Sequence, residues 1–384
     1  MPKSPGARGK ATVRKVAKPR STTSSASLRR STVIVRQGKP APAVRRDGPR
    51  TVSLALQGGG AHGAFTWGVL DRLLQDERVV IDGISGTSAG AVNGAVLVYG
   101  MLQGGREGAR ALLRKLWEGV GSGAAGSIFQ PSPFDRLVGN VNLDLSPANH
   151  AFDLMTRLLA PYQHNPLDCN PLRDVVSGLI DFEHLRRAHP MPLFISTTNV
   201  RTGKIRVFGA EELSVDVLMA SACLPLLFRA VEIEGETYWD GGFMGNPAMF
   251  PLIYNCRADD IVLVEVNPIR IAEVPTNARA IMDRMNTISF NATMMREMRN
   301  IAFVTQLLEQ HRLTNRSKLR KIHFHMIQAE EAMAAFGASS KFNIDPAFLD
   351  RLFRLGRQTA EQWFEDTHER LGQDTTIDMH KLFF

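Results

Sequence analysis

The chain has 384 residues, 44% of them hydrophobic, and 3 cysteines. That apolar content can bury a large core. Cys169, Cys223 and Cys256 are widely spaced and odd in number, which argues against a disulfide framework or a cysteine metal cluster and for a reducing cytoplasm. The most apolar stretch, residues 89–102, is too short to span a bilayer and is broken by Asn93, Gly94 and Gly100. The first thirty residues carry charges and lack the apolar run of a secretory signal.

The net charge of +8 is a property of the N-terminus. Residues 1–50 hold 14 Lys/Arg against Asp47 alone, a net of +13, which leaves −5 on residues 51–384. A Ser/Thr/Pro/Ala-rich segment of this kind cannot bury enough apolar surface to offset ordering entropy, so it reads as a disordered basic tail. Such a tail can hold a protein to an anionic membrane, a granule surface or nucleic acid, or serve only as a solvated linker.

After the tail, strands and helices alternate. Residues 51–56 read as a strand, Gly58-Gly59-Gly60-Ala61-His62-Gly63 as a glycine turn, and residues 64–75 as a helix with Phe65, Val69, Leu70, Leu73 and Leu74 on one side. Residues 79–84 form a second strand, followed by Gly86-Thr87-Ser88-Ala89-Gly90 and a helix over 91–101. Strand, glycine turn, helix, repeated once, implies parallel strands with right-handed crossovers. Both turns then lie at carboxyl ends of adjacent strands, where open α/β sheets bind ligands. Glycines two residues either side of Ser88 let the chain reverse so tightly that the hydroxyl stands clear, as a nucleophile requires.

Gly58-x-Gly60-x-x-Gly63 is also the dinucleotide fingerprint, which needs an acid at the end of the second strand. That end is Ser85-Gly86-Thr87-Ser88, and Asp82 lies inside the strand. No Gly-Lys-Ser/Thr follows either loop, so neither a nucleotide nor any other cofactor is expected, and no metal. A serine hydrolase accounts for both turns: amides of the first loop, at a helix N-terminus, can meet the oxyanion formed when Ser88 attacks a carbonyl.

Residues 110–120 read as an amphipathic helix and 119–126 as glycine-rich. Residues 128–134 form an apolar, proline-broken loop that can cap a pocket or touch lipid, although core packing of Phe129 and Phe134 is the plainer expectation. Residues 161–168 are turn-rich without a pattern. Residues 192–200 and 204–208 form a hairpin across Arg201-Thr202-Gly203, and 213–222 a helix. Strands at 230–233 and 237–239 flank Glu234-Gly235-Glu236, and the second runs into Asp240-Gly241-Gly242. A carboxylate there can take the serine proton, or be an Asp-Gly turn residue bonding its own backbone.

Downstream, 260–266 reads as a buried strand and 277–310 as a long helix carrying Met282, Met285, Met294, Met295 and Met298. Flexible methionines can line an acyl surface, but packing on the core is expected. His323 and His325 share a face of a strand over 322–327, and 346–371 forms a final amphipathic helix.

In this order, Gly58-Gly59-Gly60-Ala61-His62-Gly63, Gly86-Thr87-Ser88-Ala89-Gly90 and Asp240-Gly241-Gly242 resemble the motifs of the patatin-like phospholipase family, and Ser221-x-x-Leu224-Pro225 fits as well. The resemblance covers residues 51–266. It implies a three-layer α/β/α sandwich around a mainly parallel sheet. It also implies a Ser88–Asp240 dyad, with Ser88 as nucleophile and Asp240 as proton acceptor, the amides of Gly58, Gly59 and Gly60 as oxyanion donors, and Gly63, Gly86, Gly90, Gly241 and Gly242 as motif supports. The sequence departs at His62, where many members carry arginine, which removes a fixed positive charge beside the loop. A triad would need a histidine after the acid, from His311, His323, His325, His368 or His380.

The domains expected are the tail at 1–50, a hydrolase domain at 51–270 and a helix-rich C-terminal extension at 271–384 packed on it. The function expected is hydrolysis of a lipid ester by a cytoplasmic protein, peripheral to a membrane or granule through its tail. An intracellular polyester such as polyhydroxyalkanoate is the alternative substrate, and a non-catalytic adaptor working through the tail is the alternative class.

Overall fold

The computed structural model describes residues 48–123, 131, 135, 140–143, 146–310 and 319–384. The basic tail through Asp47, Phe129 and Phe134 of the apolar loop, and His311 lie outside the described residues. The strands are β1 (Arg50–Leu56), β2 (Val79–Gly86), β3 (Leu193–Asn199), β4 (Ile205–Phe208), β5 (Val231–Ile233), β6 (Glu236–Asp240), β7 (Asp260–Val264) and β8 (His323–Ile327). Of the helices, those that bear on the site are α1 (Gly63–Gln75), α2 (Ala89–Ser122), α3 (Val215–Ser221), α4 (Ala278–Glu309) and α5 (Pro346–Thr367).

The period-two alternation of a strand sends neighbouring side chains to opposite faces, and here the faces meet separate cores. Val52, Leu54 and Leu56 of β1 and Val262 and Val264 of β7 join one cluster with Phe65, Leu70, Leu97 and Leu113 of α1 and α2. Ala55, Ile261 and Leu263 join the other with Met294 and Met298 of α4. Two cores divided by one sheet make the three-layer α/β/α sandwich that was expected. The order is β5-β6-β3-β2-β1-β7-β8, with β4 also on β3. The run β3-β2-β1-β7-β8 is parallel, while β4, β5 and β6 join antiparallel.

Residues 271–384 contribute to this sheet and its cover. Strand β8 extends it beyond β7, and α5 lies along α1, where buried Asp71 accepts from Arg110 at 2.9 Å and from Arg357. The helices expected at 91–101 and 110–120 are the two halves of α2, which break from one another where Gly104 and Gly105 leave helical angles. Residues 147–188, unread in the sequence, are mostly short helices. Met294 and Met298 are buried as expected, but Met282 and Met285 stand in solvent, 45% and 57% exposed. Among the described residues no helix is long and apolar enough to cross a membrane.

Candidate active site

Strand register brings the serine turn and the aspartate together. Along β3, Ile195 pairs with Gly86 of β2 on one side and Phe208 of β4 on the other. Two residues on, Thr197 pairs with Arg206 of β4 and Asp240 of β6. Since β4 holds one side throughout, β6 must occupy the side that β2 has just vacated. The two strands run in opposite directions, so their carboxyl ends converge there.

Ser88 sits between β2 and α2 with φ 53° and ψ −122°, a strained conformation for a residue with a Cβ. The strain is held from several directions. Thr87 Oγ1 donates to the Gly245 carbonyl at 2.6 Å, and the Ser88 amide donates to Ser221 Oγ at 2.9 Å. Ser221, at the end of α3, in turn donates to the Ser196 carbonyl at 2.8 Å. The hydroxyl therefore stands at the positive end of α2, half-buried, facing the sheet edge.

Asp240 is buried, 1% exposed. Its Oδ1 accepts from the Gly242 amide at 2.7 Å, while Oδ2 has no formed hydrogen bond. The Ser88 hydroxyl lies beside this carboxylate without a fully formed bond to it, and is one of the neighbours that favour its charged form. Burial is the stronger influence and pushes the carboxyl up to about 7, against the opposing pull of the Gly242 amide, Ser88 and Lys341. The Asp-Gly turn bond and the position beside Ser88 thus coexist. Gly241 lies against the Ser196 backbone and Gly242 against the Phe290 ring of α4.

The glycine loop lies at the carboxyl end of β1, against the Ser88 turn. The Gly58 amide is not free for an oxyanion, because it donates to Asn246 Oδ1 at 2.7 Å. Gly58 acts instead by what it lacks: a Cβ there would meet the Ser88 Cβ at 2.6 Å and the Thr87 carbonyl at 2.8 Å. Gly58→Ala should push the serine turn off its position and lower turnover by on the order of 10²-fold, measured against wild type at saturating substrate. The loop is otherwise braced by Asn267, whose Nδ2 donates to the Gly58 carbonyl at 2.6 Å, and by Gln57, whose Oε1 accepts from the Val266 and Asn267 amides at 3.0 Å. Gly60 takes φ +59° where the carbonyl of Lys341 closes over it. The amides of Gly59 and Gly60 donate to nothing among the described residues. Gly63 lies against Ala89, Gly86 against Gly90, and Gly90 against the Leu56 carbonyl, so the two glycine turns pack on one another.

His62 is buried, and its Nε2 lies 2.7 Å from Ser340 Oγ. Ser340 Oγ also lies 2.7 Å from the Gly337 carbonyl, so it links the His62 ring to the turn that carries Lys341. Burial first, and Lys341 second, depress His62 to about 3, so it is neutral. Two of the triad candidates, His323 and His325, lie elsewhere. His325 bonds Asp260 at 2.8 Å and His323 lies 3.7 Å from it, at the amino ends of β7 and β8, opposite the Ser88 edge.

Sequence reasoning missed Asn246, Asn267 and Lys341. It also missed Glu265, just after β7, which is 2% exposed with Oε1 unbonded. Burial, then Glu330, pushes Glu265 up to about 8. The folded state therefore keeps a proton that the unfolded chain releases near its ordinary pKa. This contribution is complete below that ordinary value and is lost as pH rises through about 8. Glu265→Gln should match wild type in Tm at pH 5 and exceed it by about 3 °C or more at pH 9 in scanning calorimetry.

The geometry defines a class: an α/β/α sandwich that presents a strand-end serine, a buried carboxylate and a glycine-rich turn on one sheet edge. The model of the patatin-like phospholipase family matches residues 54–253, more than half of the 384. The chain belongs to that family and is, in its general sense, a lipid acyl hydrolase. Among solved structures it is similar to VipD from Legionella pneumophila, at 14% identity and a TM-score of 0.37 over 83% of this chain and 67% of that one. It is also similar to ExoU, in its heterodimeric complex with SpcU from the type III secretion system of Pseudomonas aeruginosa, at 16% identity and a TM-score of 0.31 over 83% of this chain. The chain spans 52% of the ExoU chain. A search of curated proteins returns no match.

Proposed function

We propose that the protein hydrolyses lipid carboxylic esters through a Ser88–Asp240 dyad. The observation that carries this is the Asp240 carboxylate: buried, fixed at Oδ1 by the Gly242 amide, unbonded at Oδ2, beside the Ser88 hydroxyl and raised to about 7. An ordinary aspartate is too weak a base for an alcohol. A general base is most effective when its pKa lies near the working pH, and burial brings Asp240 there.

In the first half-reaction Ser88 Oγ bonds to the ester carbonyl carbon as its proton passes to Asp240 Oδ2 and the carbonyl pair moves onto oxygen. The free amides of Gly59 and Gly60, with the α2 N-terminus, meet that oxyanion. Collapse breaks the ester C–O bond, and the alcohol leaves with the proton from Asp240. Water then repeats the sequence on the acyl-enzyme, losing a proton to Asp240 and releasing the acid and free Ser88. The lipid nature of the substrate is supported by the family and by apolar side chains beside the Asp240 turn, where Phe290 of α4 lies against Gly242 and packs 5.1 Å from Phe243.

The test is release of free acid from phospholipid vesicles, a neutral-lipid emulsion and polyester granules, with wild type and Ser88→Ala side by side. Release by wild type alone supports the proposal, and the preferred substrate names the ester class. Equal release by both proteins, or none by wild type on any of the three, contradicts it.

A further inference from the structure

The site lacks the cation that an arginine in place of His62 would bring, and His62 itself is neutral. A cation nevertheless reaches the loop from a remote part of the chain. Lys341 lies in the short turn Ala338–Phe342, beyond the matched residues 54–253. Its Nζ donates to Asn267 Oδ1 at 2.7 Å, and the Nδ2 of the same amide donates to the Gly58 carbonyl at 2.6 Å. One asparagine therefore joins the ammonium to the residue that abuts Ser88. The Lys341 backbone also closes over Gly60, so the residue touches the loop twice.

We propose that Lys341 is a positioning residue that brings a positive charge to this site and braces the glycine loop, through Asn267 to the Gly58 carbonyl and through its own backbone against Gly60. This rests on the dyad reading above. Lys341 is half-buried as a residue, but its ammonium is desolvated and lies in the field of Asp283 and Asp240. The groups that act on Asp240 are few. Lys341 and the Ser88 hydroxyl favour its charged form, together with the Gly242 amide. The Cys223 thiol, pushed up to about 12 by burial and then by Asp240, is neutral. Burial depresses Lys341 to about 8, so it is charged at pH 7 and loses its charge above 8. The pair then bounds activity on both sides: Asp240 must lose its proton and Lys341 must keep its own, with apparent midpoints that belong to the coupled pair.

The experiment is the pH dependence of kcat/KM between pH 5 and 10 for wild type, Lys341→Arg, Lys341→Gln and Lys341→Met, with Tm recorded for each. Wild type should give a narrow bell. Lys341→Arg, which cannot lose its charge, should keep the acid limb and move the alkaline limb above pH 9. Lys341→Gln keeps an N–H for Asn267 but no charge. It should lose the alkaline limb, shift the acid limb upward by roughly half a unit or more, and lower kcat at pH 7 about tenfold with KM little changed. If Lys341→Met proves unstable, the Arg and Gln variants carry the comparison. Carbon-13 NMR titration of the Asp240 carboxyl reads the same effect without substrate, with a higher midpoint in Lys341→Gln than in wild type. A wild-type profile and an unmoved Asp240 midpoint in Lys341→Gln would overturn the proposal. Inactive wild-type enzyme would instead overturn the hydrolase reading, and the NMR shift would still decide the role of Lys341.

Discussion

Ser88→Ala should abolish acid release, by about 10³-fold or more in kcat, with a Tm close to that of wild type. The two halves of this expectation have separate causes. The hydroxyl is the atom that bonds to the carbonyl, and no other nucleophile is held at the junction of β2 and α2. The fold, in contrast, does not need the hydroxyl. Ser88 is anchored through its amide on Ser221 and through Thr87 on Gly245, and alanine preserves both bonds as well as the Cβ that the strained φ already accommodates. Loss of activity together with a fall of many degrees in Tm would mean that the residue is structural.

Asp240→Asn should cost about 10³-fold in kcat, with a diagnostic pH dependence in the parent. The amide is isosteric and its Oδ1 can still accept from Gly242, so the turn survives while the base is lost. In wild type the carboxyl is protonated below about 7, and a protonated Asp240 cannot accept the serine proton. kcat/KM should therefore fall tenfold per pH unit on the acid side of about 7, the acid limb of the bell whose alkaline limb belongs to Lys341. The asparagine variant should show no such limb in its residual activity. An acid limb near the ordinary carboxylate range would mean that Asp240 is not desolvated in the working enzyme.

Much of this site was legible in the sequence because glycine and strand patterns report backbone geometry. The turns at Gly58 and Ser88 and the strand ending in Asp240 could be read locally, and their order fixed their placement at sheet ends. Contacts between distant segments left no such trace. Asn246 and Asn267 reach Gly58 across sequence separations of 188 and 209 residues, and Lys341 reaches Gly60 from still further along the chain by a backbone approach. The occupied Gly58 amide followed from the first of these and was equally invisible. Residues 147–188 were missed for a different reason. Helices such as Pro171–Leu179 and Phe182–Ala188 are too short for periodicity to emerge, yet their caps Asn170 and Asp181, with Pro171 at a first turn, were start signals. The methionines of α4 divided because only part of a long helix lies against the sheet.

The central claim is that Ser88 is a nucleophile activated by Asp240. It is tested most directly by reacting the folded protein with a fluorophosphonate, mapping the adduct by peptide mass spectrometry and timing its formation. A single adduct on Ser88, formed at least about 100-fold more slowly in Asp240→Asn, is the predicted result. An adduct elsewhere, no adduct, or equal rates in the two proteins would contradict the claim.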